Sequence, residues 1–172
     1  MHSDAASQNA ASECIAFENA SYDSEHGNWP VRANGREFSC QWCHGAPGIG
    51  LARVAMRRRG GMDAKLLTAD IGKAVAGVEK NSFRNLDTLC CGMLGNIEFL
   101  YEAGSALGRS DLCERASRKL AAVMETAAAA GDYRWTAGSS RFNFGLFRGL
   151  AGVGYTMLRR AGESLPSVLV WE

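Results

Sequence analysis

Cys43, Cys90 and Cys91 are the residues of this chain most suited to chemistry. Cys43 stands in Trp42-Cys43-His44-Gly45-Ala46-Pro47-Gly48, and the pair in Leu89-Cys90-Cys91-Gly92-Met93-Leu94-Gly95-Asn96. Each thiol lies beside a Gly-x-x-Gly element that opens an apolar, helix-like run. Thiolates in that setting suit a soft metal, zinc above all. Adjacent cysteines reach one ion where the peptide turns sharply, and Gly92 eases such a turn. Three protein ligands leave one position open, as catalytic zinc requires. Two plainer arrangements use the same residues. One is three buried core thiols. The other is a closed four-cysteine zinc site that adds Cys40, since Cys40-Gln41-Trp42-Cys43 is a C-x2-C. His44 is placed to carry a proton or donate to a developing oxyanion, or simply to hydrogen-bond a backbone carbonyl. Cys14 and Cys113 read as core thiols, and His2 and His26 have no supporting context.

Two kinds of helix must position these groups. The first is amphipathic: Leu67, Ile71, Ala74, Val75 and Val78 share one face, as do Leu112, Ala116, Leu120, Val123 and Ala127. Ser110 is expected to cap the second of these and Gly131 to stop it. The other kind is more apolar and starts at paired glycines: Gly45 and Gly48, Gly92 and Gly95, Gly149 and Gly152. The spacings of 47 and 57 residues mark a degenerate repeat. Glycine in a helix costs about 1 kcal/mol against alanine, so its return at one register needs a cause. Close approach of neighbouring helix starts around a shared centre would supply one. Polar-faced helices then form an outer layer and glycine-started helices an inner one, an all-α architecture that is part of an α/α toroid. Residues 1–13 are small and polar and are expected to fray, leaving 14–172 as the folded unit. Ser164 to Trp171 is β-prone but too short for a sheet, and is expected to pack along the helices as a closing strap.

Composition removes several functions. The chain carries 19 basic and 18 acidic residues, a net charge of +1, so no field gathers nucleic acid or lipid headgroups. Arg57-Arg58-Arg59, the only basic run, ends a predicted helix and reads as a solvated terminus. No apolar stretch has membrane-spanning length. Six cysteines without a secretory h-region predict a reducing, cytoplasmic setting. No nucleotide or nucleophile-elbow motif is present. An α/α-toroid glycan enzyme is disfavoured, because no paired carboxylates stand at the helix starts.

Taken together, these motifs resemble the lanthionine synthetase C-like family, in particular the C-terminal cyclase domain of class II (LanM-type) lanthipeptide synthetases. Trp42 to Arg53 is close to the family's zinc-cysteine motif. Leu89-Cys90-Cys91-Gly92 to Asn96 looks like its second motif, with cysteine where the family usually has histidine, as in the subgroup with three zinc cysteines. Gly149-Leu150-Ala151-Gly152-Val153-Gly154-Tyr155 and Leu165 to Leu169 are similar to its closing helix and strap. Glu18 and Asn28-Trp29-Pro30 resemble the segment before the first motif. The resemblance runs from about Cys14 to the end.

It implies a Zn²⁺ ion on Cys43, Cys90 and Cys91, and a dehydrated lanthipeptide precursor as substrate. The implied reaction adds a peptide cysteine thiolate to dehydroalanine or dehydrobutyrine, forming lanthionine or methyllanthionine. His44 is one candidate for the proton donor. Arg32 and Arg36 are candidates for the family's arginine before the first zinc cysteine, without a firm alignment. Family members are much longer, and their earlier repeats carry a histidine and an aspartate proposed for acid–base work. The chain is therefore expected to be the C-terminal part of a cyclase domain, with an upstream part and a dehydratase domain implied. A non-catalytic, zinc-bound peptide-binding module is the alternative of another class.

Overall fold

The computed structural model describes residues 5–81, 86–135, 143–162 and 164–170. Helix α1 spans Ala5–Ala20, α2 Ala46–Arg59, α3 Ala64–Asn81, α4 Met93–Leu107, α5 Ser110–Ala130 and α6 Leu150–Arg160. The described residues contain isolated β-bridges but no strand, so the fold is all-α.

The glycine-started helices are α2, α4 and α6, and α4 packs between the other two. Their starts gather at the cysteines. At the far end, Arg58 of α2 and Arg159 of α6 both pair with Glu102 of α4, and Arg159 also pairs with Glu98. The three inner helices therefore run parallel. Helix α3 backs α2 and α5 backs α4, giving the alternation of inner and outer helices expected of an α/α toroid. Among the described residues α2 and α6 make no helix–helix contact, so the layer is an open arc.

The outer helices follow their sequence pattern closely. Leu67, Ile71, Ala74, Val75 and Val78 are all buried on α3, and α5 buries Leu112, Ala116, Leu120, Val123 and Ala127. Gly131 ends α5 in the left-handed region, but the N-cap position is held by Arg109, without a side-chain capping bond, and Ser110 is the first helical residue. The central helix α4 buries both faces, from Met93 through Leu100 and on to Gly104. A helix buried on nearly all sides belongs in a core, and its buried Glu98 and Glu102 are matched there by Arg58 and Arg159.

The repeated glycines have a more local cause than crowding between helices. A Cβ on Gly48 would lie 2.0 Å from the Trp42 carbonyl oxygen, one on Gly95 2.2 Å from that of Leu89, and one on Gly152 2.0 Å from that of Leu146. In each repeat the loop doubles back so that a carbonyl six residues earlier sits on the first helical turn. Contact between neighbouring helices does demand further glycines: a Cβ on Gly50 would meet the Phe99 ring of α4 at 2.3 Å, and one on Gly104 would meet Cys113 Sγ of α5 at 2.6 Å.

Three expectations change. Residues 5–13, expected to fray, form the first turns of α1. Their alanines favour helix without any apolar period, and α1 is held at its far end by buried Ile15, Glu18 and Asn19. Residues 1–4 lie outside the described residues. The Arg57-Arg58-Arg59 terminus is only partly solvated, because Arg57 donates to the Ala106 carbonyl and Arg58 to Glu102. Cys14 is exposed and Cys113 half-buried, so neither is a core thiol.

The C-terminal segment does act as a strap. Trp42 donates from Nε1 to the Leu169 carbonyl at 3.0 Å, Tyr155 from its hydroxyl to Pro166, and Arg159 from Nε to Leu165. Leu169 is buried. Trp171 lies outside the described residues.

Candidate metal centre

The loops before α2, α4 and α6 meet by their backbones. Trp42 N–H donates to Cys90 O at 3.1 Å, and Cys90 N–H donates to Phe147 O at 2.8 Å. The Trp42 and Phe147 rings stack at 5.3 Å. The first two loops are fixed in turn by buried polar groups. Asn28 Oδ1 accepts from the N–H of Ala46, at the start of α2, while its amide donates to Ser39 O. Asn96 donates to Cys40 O. Asp87, fully buried, accepts from the Arg134 backbone and guanidinium.

This frame brings Cys43, Cys90 and Cys91 together, with their sulfurs all within 4.8 Å of one another. The Cys43 and Cys91 sulfurs are 3.8 Å apart, and those of Cys91 and Cys90 3.3 Å. Sulfurs bound at about 2.3 Å around one tetrahedral ion lie about 3.8 Å apart, so the donor set and its spacing fit zinc. Cys43 is exposed and the pair half-buried, which leaves a side open to a further ligand.

Cys40 does not join them. Its thiol is buried and directed at the Gly77 carbonyl of α3, 3.9 Å away, and burial pushes it up to about 12. The four-cysteine site read from the C-x2-C spacing is therefore not formed, because the chain turns between Cys40 and Cys43 and sends the two thiols to different places. His44 is exposed. Its backbone pairs with that of Gln41 in both directions, and its ring makes no described hydrogen bond. Arg32 and Arg36 are exposed in the preceding loop, and no contact joins either to the cysteines among the described residues.

The cation at the site is one the sequence reading passed over. Arg148 Nη2 lies 3.4 Å from Cys91 Sγ. A signal for it existed: His44, Cys91 and Arg148 each stand directly before the first glycine of a repeat. The third repeat carries no thiol, so its residue types alone do not mark it as part of a metal site.

The three thiols differ electrostatically. Burial and the neighbouring Cys91 and Cys43 sulfurs push Cys90 up to about 12. Burial also raises Cys43. Burial acts upward on Cys91 too, but the hydrogen bonds from Arg148 and the other two thiols outweigh it and bring Cys91 below the ordinary thiol value. Of the three thiols, Cys91 therefore gives up its proton most readily, and Cys43 and Cys90 hold theirs more tightly than an ordinary thiol.

The sequence model of lanthionine synthetase C-like proteins matches residues 2–170. The chain belongs to that family. The match begins well before Cys14 and takes in α1, all three glycine-started helices and the strap. No curated protein matches the sequence. Family membership agrees with the helical arc and supports a cyclase-type enzyme at the level of the family. No described helix of this LanC-like chain is long and apolar enough to cross a membrane.

Proposed function

We propose that this chain is the metal-bearing part of a LanM-type lanthionine cyclase of the three-cysteine subgroup. Cys43, Cys90 and Cys91 would hold zinc, and the substrate would be a dehydrated lanthipeptide precursor in the cytoplasm, where the thiols stay reduced. The observation that carries the reading is the convergence of those three sulfurs, from two repeat loops of a LanC-like chain, to within 4.8 Å.

Zinc bound there would supply a Lewis acid that keeps a peptide thiol as thiolate at neutral pH. The chain's own groups account for the rest. The open side of the cluster, beside exposed Cys43, admits the peptide. The thiolate sulfur forms a bond to the β-carbon of dehydroalanine or dehydrobutyrine, the π pair moves toward the carbonyl, and the α-carbon then takes one proton. His44, exposed beside Cys43, is this chain's candidate donor, and upstream repeats are the other expected source. A dehydratase domain would make the alkene.

Incubating the zinc-loaded chain with a dehydrated, cysteine-containing peptide tests this, with thiol loss and thioether formation followed by mass spectrometry. Thiol loss at unchanged peptide mass, faster than in metal-free controls, supports a cyclase. Tight zinc binding and peptide binding without thiol loss, both alone and with an upstream cyclase half added, would make the chain a binding module instead.

A further inference from the structure

We infer that Arg148 is a positioning residue of this centre, the counter-cation that holds the Cys91 sulfur and offsets the surplus negative charge of a three-thiolate site. The inference rests on the zinc reading above.

The repeat register puts Arg148 there. The first two repeats place a thiol two residues before the first glycine, Cys43 and Cys90, and the third places Phe147. That ring stacks on Trp42 and closes the group of three loops. The next position holds His44, Cys91 and Arg148 in turn. The third loop therefore gives the centre a cation where the others give sulfur. Among the described residues Arg148 is the one cation hydrogen-bonded to a cluster sulfur.

Electrostatics gives that position a purpose. Two cysteines and a histidine leave a divalent ion neutral, whereas three cysteines leave a net negative charge that a fourth, substrate thiolate would deepen. A guanidinium stays charged at every accessible pH and has several N–H groups in one plane. One of them reaches Cys91 Sγ. Groups that contact a metal's ligands commonly set 10- to 100-fold in metal affinity, and an exposed charge of this kind is screened by salt.

The experiment compares the full chain with Arg148→Gln and Arg148→Lys. Zinc dissociation constants are measured by chelator competition at neutral pH, at low ionic strength and in molar salt. Cobalt substitution reports the number of sulfur ligands, and a melt of the metal-free protein reports folding. The expected result is a loss of about tenfold or more for Gln at low salt. Lys should regain most of it, the gap should narrow in molar salt, and the cobalt–thiolate absorption should be unchanged. Wild-type affinity in the Gln variant would overturn the inference while leaving the zinc site intact. Equal weakness of Gln and Lys would overturn it too, by showing that shape rather than charge matters. Should Gln also lower the metal-free melt, recovery by Lys still decides between the two. A wild-type chain that binds no zinc would remove the metal reading itself, and this inference with it.

Discussion

Zinc capture by these cysteines must displace protons, and the three thiols set how many. Cys90, pushed up to about 12, and Cys43, also raised, hold protons near neutral pH, whereas Cys91 is lowered beside Arg148. Metal binds the deprotonated forms only, so affinity falls as pH falls. Binding should release at least about two protons near neutrality, one each from Cys43 and Cys90. Calorimetry in buffers of different ionisation enthalpy measures that number, and a count near zero would contradict the assignment. Elsewhere in the chain a buried charge matters for stability. Arg53, 1% exposed, reaches Asp70 at 3.2 Å and Glu18 at 2.7 Å. Arg53→Leu leaves Asp70 buried without its guanidinium and should cost about 3–5 kcal/mol in denaturant unfolding. Glu18→Ala removes a partly exposed partner and should cost under about 1 kcal/mol. At this scale the sequence was legible where a thiol stood beside a repeat glycine. It was silent on Arg148, which shares the register but not the residue type, and misleading on Cys40, whose spacing matched a zinc motif while its backbone turned away.

Helix starts carry the site, so their glycines couple folding to metal binding. Gly95→Ala would set a Cβ against the Leu89 carbonyl, one residue from Cys90. The Cys90–Cys91 loop must then lift off α4. A loss of about 2–4 kcal/mol is expected, together with weaker zinc binding in whatever protein still folds. Gly72 is the control. It sits on the exposed face of α3 with nothing within 4 Å of an added Cβ, so Gly72→Ala should stabilise the chain by about 0.5–1 kcal/mol. If both substitutions had the same small effect, the folded-back loop would not be the reason for the repeat. The sequence revealed α3 and α5 down to single buried residues, because a helix with one wet face writes its period into the chain. It hid α1, whose first turns are alanine-rich and touch little. It also gave the right recurrence of glycine for an incomplete reason, since contact within one loop leaves no apolar pattern to read.

Seen as a whole, the molecule is an arc with two flanks. Leu150, Ala151, Gly154 and Leu158 of α6 are exposed, and α2 makes no contact with α6 to close the circle. Apolar helix faces left open in this way favour association. The chain by itself should self-associate in light scattering at micromolar concentration, and a sharp, concentration-independent monomeric melt would contradict that. The same openness bears on catalysis. On the proposed reading three sulfurs and Arg148 would bind metal and present a thiolate, but the reaction also needs an aligned alkene and a proton for the α-carbon. Of the chain's own groups only His44 is offered for that proton, and its exposed ring has no described partner to orient it. Loss of a positioned acid costs roughly 10²–10⁴-fold, and loss of alignment adds to it. Zinc-loaded chain alone should therefore form thioether slowly or not at all. Adding an upstream cyclase half from a LanM-type enzyme should raise the rate by at least about 100-fold if the two pieces complete the circle. His44→Asn separates the possible donors. If upstream repeats protonate the α-carbon, the variant keeps the complemented rate. If His44 does so, the substitution lowers the complemented rate without changing zinc content.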